Sequence, residues 1–243
     1  MIREHKDFSP PSDFDPPLWR YMTVERVSDV LTTSELYFAR ADLLGDPFEG
    51  SFPAGQTEFR ERFFKDATEH YLKEGLPRDA QLIRQLAYVS CWHMSDQESE
   101  HMWHRYGGRA VAVTSSLSRI RCAILELEAA FLLGEVAYHD YSSGAIWEGN
   151  VFNPLFAKRR EFRDDREFRI VLERLERIGE LSVGKYDPPV GVRIPLDLKA
   201  LVDAIVLHPN LAPADRSEVA GLAEAVGLGS RVADSELSRK PNF

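Results

Sequence analysis

The amino-acid sequence predicts a mixed α+β fold, a largely antiparallel sheet with surrounding helices and a helical insertion near residues 57–86. Three observations carry this. Short apolar runs of strand length are interspersed with amphipathic stretches of helical period, without the regular spacing of a doubly wound parallel sheet. No glycine-rich phosphate loop opens a helix. The chain of 243 residues, 44% hydrophobic and 28% charged, also holds enough apolar material for a substantial core. The expected organisation is an extended arm over 1–17, marked by its four prolines, followed by a single α+β domain over 18–243.

Taken in order, Leu18 to Met22 reads as an aromatic-rich strand. A helix follows, with Thr23 as N-cap and Val24, Val27, Val30 and Leu31 spaced to bury one face. Leu36 to Ala39 is a second strand, closed by a loop containing Gly45, Pro47 and Gly50. Phe59, Phe63, Phe64, Ala67 and Tyr71 recur at helical spacing and predict a helical hairpin broken at Gly75-Leu76-Pro77. Ala87 to Trp92 reads as a strand, and Ser95 or Asp96 as the cap of a short helix carrying Met102, Trp103 and Tyr106. Gly107-Gly108 stops that helix. Further strands are expected at Ala110 to Thr114 and near 131–138, 166–172, 190–194 and 202–207. Helices are expected from Ser116 to about Leu125 and at 154–162 and 214–226.

A formal net charge of −9 argues against a protein held on nucleic acid by bulk charge. The clearest local basic run is Lys158-Arg159-Arg160 with Arg163, Arg166 and Arg169, which reads first as solvated helix positions paired with Glu161, Asp164 and Asp165. Cys91 and Cys122 lack zinc-type spacing, and the cluster Cys91, His93, His101 and His104 matches no known zinc motif, so no metal site is expected. The cysteine usage suits a reducing cytoplasm. The first seventeen residues have no apolar core of the kind a secretory signal carries, and no apolar run is long enough to span a bilayer.

Two places concentrate chemistry. In Arg166 to Leu172, the two-residue period puts Phe168, Ile170 and Leu172 on one face and Glu167 and Arg169 on the other. The same period sets Arg20 between Leu18 and Met22, where an arginine either snorkels to water or meets a buried acid; Glu167 is the candidate partner. A structural ion pair and a ligand-holding pair both fit this pattern. Asp46-Pro47-Phe48-Glu49-Gly50 reads as a turn, Asp46 capping backbone donors and Phe48 docking inward, with Asp46 and Glu49 at a pocket mouth as the alternative. Trp92, Met102 and Trp103 read as core or pocket wall.

Several of these segments, Trp19-Arg20-Tyr21, Leu36 to Asp42, Asp46 to Gly50, Ser90-Cys91, Met102 to Tyr106 and Glu167-Phe168-Arg169, together resemble a bacterial family known as a domain of unknown function. Its pattern runs RY, LYFSRADxxxDPFEG, SC, MWxxY and ExEYR, and the likeness covers about residues 18–210. Ala39 stands where a serine is usual, and Asp165 where the first glutamate of ExE would be. The order of strand, helix, strand and late strand also resembles the skeleton of the ADP-ribosyltransferase superfamily. That resemblance implies Arg20 and Tyr37 holding NAD as substrate, Glu167 as the catalytic carboxylate, and a toxin or phage-defence role. Trp103 and Arg169 are further candidates beside Asp46 and Glu49.

Three readings follow. The leading one is a ligand-sensing or protein-interaction domain, with Arg20 and Glu167 structural and an unknown small molecule or protein as partner. The alternative is an NAD-using transferase or glycohydrolase. The third is a nucleic-acid-processing domain working through residues 158–169.

Overall fold

Alternation and helical period resolve into one ten-stranded sheet flanked by helices, seen in a computed structural model that describes residues 3–8, 10, 13–64, 68–125 and 129–239. In chain order the elements begin with β1 (Arg3–Glu4), β2 (Pro17–Thr23), α1 (Val24–Thr33), β3 (Glu35–Arg40), α2 (Gln56–Phe63), α3 (Leu76–Leu86) and β4 (Ala87–Met94). They continue through α4 (Glu100–Tyr106), β5 (Ala110–Ser116), α5 (Leu117–Ala123), β6 (Ala130–Glu135), β7 (Ala137–His139), β8 (Ala157–Arg159) and β9 (Glu167–Glu173). The last are α6 (Ile178–Ser182), β10 (Gly191–Pro195), α7 (Leu198–Leu201), β11 (Ile205–Leu207), α8 (Pro213–Ala225) and β12 (Val232–Asp234).

The sheet order is β1-β6-β9-β4-β2-β5-β11-β12, with β3 paired to β4 and β10 to β3. Only β1–β6 and β11–β12 pair in parallel within it, so the sheet is largely antiparallel as the sequence predicts. One face carries the larger core: Leu18 and Met22 of β2 and Phe168, Ile170 and Leu172 of β9 meet the apolar stripes of α1, α5 and α8. The expected α1 face, Val24, Val27, Val30 and Leu31, is buried there. The opposite face holds two smaller clusters, one around Val89, Val171 and Ile83, the other around Tyr21, Met102 and Trp103. Among the described residues, no helix is long and apolar enough to cross a membrane.

The arm is more than a lead-in. Its β1 adds an edge to β6, and Asp15 accepts hydrogen bonds from the Ser118 backbone and hydroxyl at the start of α5.

Several local expectations are corrected. The chain does not break at Gly75-Leu76-Pro77: Gly75 keeps helical dihedrals, and a π-helical turn over Tyr71–Gly75 runs into α3. Pro77 sits in the first turn of α3, where its missing N–H costs nothing. Phe63 and Tyr71 are exposed rather than buried, Phe59 and Phe63 packing with Trp147, while Ala67 lies outside the described residues. Ser99, not Ser95 or Asp96, caps α4 by accepting from the Met102 N–H. The 154–162 helix is instead two 3-10 turns around β8, because Leu155, Phe156 and Ala157 are buried consecutively and β8 pairs with β7.

Candidate functional site

The sheet splits where β4 changes partner. Along one edge of β4, β2 pairs with His93 and Met94, whereas β3 pairs with Tyr88 and Val89. Ser90, Cys91 and Trp92 between them face a fork in which backbone acceptors lack ladder donors. Arg20 fills it. Its Nη1 donates to Ser90 Oγ at 2.5 Å and to the Cys91 carbonyl at 3.2 Å, and its Nη2 donates to the Tyr37 carbonyl at 3.2 Å. Trp92 donates to the same Ser90 hydroxyl, and its ring lies 5.7 Å from the Arg20 guanidinium carbon.

Arg20 therefore stays partly exposed on neutral acceptors and meets no acid among the described residues, and the expected Arg20–Glu167 pair is not formed. The fork offers neutral oxygens, which a guanidinium satisfies with several donors at once. Its Nε is shielded from solvent and has no hydrogen-bond partner among the described residues. Burial lowers the Arg20 pKa, although Cys91 and Tyr106 push it back up.

Glu167 belongs to a different network. Its carboxylate accepts from Lys158 Nζ at 2.9 Å and from Arg169 Nε at 2.7 Å. Lys158 also reaches Asp165 at 2.9 Å and Glu49 at 3.5 Å. Arg169 bridges Glu167 to Glu49 and donates to the Leu155 carbonyl at 2.6 Å. Arg105 of α4 closes the cluster from solvent by pairing with Asp165. Three acids thus face three bases. Lys158 is 5% exposed and Arg169 1%, so the basic run is not the solvated helix face the sequence suggested, and only Arg160, Arg163 and Arg166 of it are exposed.

The chain reaches this cluster through a tight turn. Arg166 adopts a left-handed conformation at φ 39°, so that Asp165 and Glu167 on either side of it both meet Lys158. The Glu167 N–H is held by the Tyr138 hydroxyl at 2.9 Å, and His93, opposite Glu167 in β4, directs Nδ1 to the Asp165 carbonyl at 2.7 Å. Burial would raise the Glu167 pKa, but Arg169 and Lys158 outweigh it and hold the carboxyl well below the usual range. Glu167 is ionised at neutral pH.

Both networks open on one cavity of about 350 Å³, whose lining includes Arg20, Tyr37, Glu49 and Glu167. Tyr37 is 39% exposed, and its hydroxyl donates to the Val190 carbonyl at 3.3 Å. Its ring lies across Gly191, where an added Cβ would come within 2.1 Å of the hydroxyl oxygen. Of the other candidates, Glu49 lines the cavity while Asp46 does not. Asp46 accepts from the Phe48 N–H at 3.1 Å and from Arg159 at 3.0 Å, which makes it the staple of the turn. Phe48 points outward, 44% exposed over Arg159, contrary to its expected docking. Trp103 is buried against Tyr21 and donates to Glu98 at 2.8 Å, outside the cavity. Arg169 is buried beneath Glu167.

Sequence reasoning missed Lys158 and Asp165 as members of the site. The available signal was Glu167 and Arg169 sharing one face of β9 opposite Phe168, Ile170 and Leu172, a pattern that calls for nearby counter-charges, with Asp165 two residues earlier at the end of a 3-10 turn. Arg26, Arg105 and Tyr106 also line the cavity.

No known family's sequence profile matches this chain, and no curated protein matches it. Among solved structures it is similar to Thermus sp. 2.9 DarT in complex with NAD+, at TM-score 0.40 and 9% identity over 96% of this chain and 100% of that one. It is also similar to the same protein in complex with ADP-ribosylated ssDNA, at TM-score 0.35 and 11% identity over 97% of both chains. A third such structure, in complex with carba-NAD+, gives TM-score 0.36 and 9% identity over 93% and 97%.

Proposed function

We propose that this chain is an NAD-using enzyme that transfers or hydrolyses ADP-ribose, with Glu167 as its catalytic carboxylate and Arg20 and Tyr37 holding the dinucleotide. The observation that carries this reading is the meeting of Arg20, Tyr37 and Glu167 on one cavity, with Arg20 not neutralised by Glu167. An arginine without a carboxylate partner suits an anionic group such as a phosphate. Half-exposed Tyr37 supplies an aromatic face for a base. Glu167 supplies a fixed negative charge.

Those parts suit cleavage of the bond between ribose and nicotinamide. The C–N bonding electrons leave with nicotinamide, which becomes neutral, and the ribose C1′ takes on oxocarbenium character. The Glu167 carboxylate stabilises that developing positive charge, as glycosidase carboxylates do. Water or an acceptor nucleophile then bonds to C1′ and loses its proton. The buried network holds Glu167 in one rotamer and one charge state.

A second reading is favoured by the same network. With Lys158 and Arg169 both on Glu167, the cluster could serve only to fasten the Glu49 turn to β9 in a ligand-sensing domain. Incubation with NAD and detection of released nicotinamide separates the two. The enzyme reading expects release by the wild type and its loss in Glu167→Gln; background release from both supports the binding-domain reading.

A further inference from the structure

We propose that Arg26 is a diphosphate-binding residue, forming with Arg20 an anion subsite beside Tyr106 in the cleft. The inference rests on the dinucleotide reading above and deepens it.

The cations on this cavity fall into two sets. Lys158 and Arg105 are committed to carboxylates, Lys158 to three of them and Arg105 to Asp165. Arg20 and Arg26 are not. Arg20 has only neutral acceptors and an unpartnered Nε, and Arg26, in the first turn of α1, makes no hydrogen bond or ion pair among the described residues. One end of the cleft is therefore charge-balanced, and the other carries two guanidinium groups without a carboxylate partner among the described residues, Arg20 partly buried and Arg26 exposed.

Like charges left facing one cavity repel, and an anion between them removes the repulsion. After burial, Arg26 adds to the downward push on Arg20, and Tyr106 feels Arg20, Arg105 and Arg26 together. Arg20 on β2 and Glu167 on β9 are separated by β4 alone; they leave the sheet from opposite faces, and both line the same cavity at the gap beside β4. Guanidinium forks match phosphate oxygens bidentately, which a lysine cannot reproduce.

The test is calorimetric titration of inorganic pyrophosphate and of NAD into the wild type, Arg26→Gln, Arg26→Lys and a control, Arg78→Gln, at an exposed arginine of α3. Circular dichroism checks the fold of each. The proposal expects pyrophosphate to bind the wild type and Arg78→Gln alike, about tenfold more weakly to Arg26→Gln, and at an intermediate level to Arg26→Lys. Equal binding by Arg26→Gln and wild type overturns it, and so does an equal loss in Arg78→Gln, which would mark an effect of bulk charge. Absence of pyrophosphate binding in a wild type that cleaves NAD also overturns the subsite while leaving the enzyme reading intact. Arg26-dependent pyrophosphate binding without NAD binding or cleavage does the reverse.

Discussion

Replacing Lys158 with methionine tests whether the buried network is as tightly coupled as its geometry implies. Lys158 Nζ lies 2.9 Å from Asp165, 2.9 Å from Glu167 and 3.5 Å from Glu49. Removing it leaves three carboxylates facing Arg169 and Arg105, a net charge of about −1 in a shielded site. Breaking a buried pair from one side costs about 3–5 kcal/mol. For a domain of this size each kcal/mol moves Tm by about 2–4 °C, so the expected drop is about 6–20 °C. Lys73→Met is the matched control, since its pair with Glu69 is fully exposed and its loss should leave Tm where it is.

The pH dependence has a definite sign. Burial opposes it, but Lys158 and its cationic neighbours hold the Glu167 and Asp165 pKa values below their ordinary 4.5 and 3.8. Their contribution is present above those ordinary values and is lost as pH falls through the lowered ones. Without Lys158 the folded carboxyls titrate higher, so the gap between wild type and variant narrows as pH drops below 4.5. Burial alone would lower the Lys158 pKa, yet Glu167 and Glu49 raise it above 10.5. Its own contribution is therefore complete below 10.5 and lost as pH climbs through the raised value. Thermal melts and urea titrations across pH measure both features. A Tm loss no larger than that of Lys73→Met, or a gap independent of pH, would mean that Lys158 does not hold the three carboxylates together.

Three other outcomes follow from the geometry. Gly191→Val should push the Tyr37 ring off its seat and weaken NAD binding by up to about tenfold, the worth of one aromatic contact; calorimetry showing unchanged affinity removes Tyr37 from the site. Arg20→Met takes the guanidinium donors from the Cys91 and Tyr37 carbonyls in the fork, Ser90 keeping Trp92 as its donor, and should cost about 1–3 kcal/mol in urea unfolding; wild-type stability would mean the guanidinium does not close the fork. Glu148→Ala strands buried Arg60, whose Nη2 it holds at 2.7 Å. Hydrogen exchange in α2 should accelerate, and unchanged protection would show that the pair does not anchor the insertion.

The block from Leu18 to Arg40 was legible because its signals are local: period two in β2 and β3, period 3.6 in α1, and a proline-rich stretch before them. The Asp46 turn was legible for the same reason, as an Asx bond spans only two residues. What escaped was pairing across the sheet. Nothing near Arg20 in sequence announces that β4 changes partner at Ser90, so an acid was the natural partner to assign. Lys158 was misread because β8 exists only through its pairing with β7, a contact outside any helical window. Glu167 was correctly set on one face with Arg169, but the third member of that group, Glu49, lies 118 positions before Glu167 in the chain. Its burial depends on the whole fold.

Cleavage of NAD in the cleft between Arg20 and Glu167 is the activity proposed for this chain. Quantifying nicotinamide released from NAD by the wild type and by Glu167→Gln, with both confirmed as folded, tests it most directly. Release by the wild type and a loss of at least about a hundredfold in the variant are expected, the usual cost of removing one aligned charge-stabilising group. Equal release by the two proteins, or none from either, contradicts the proposal.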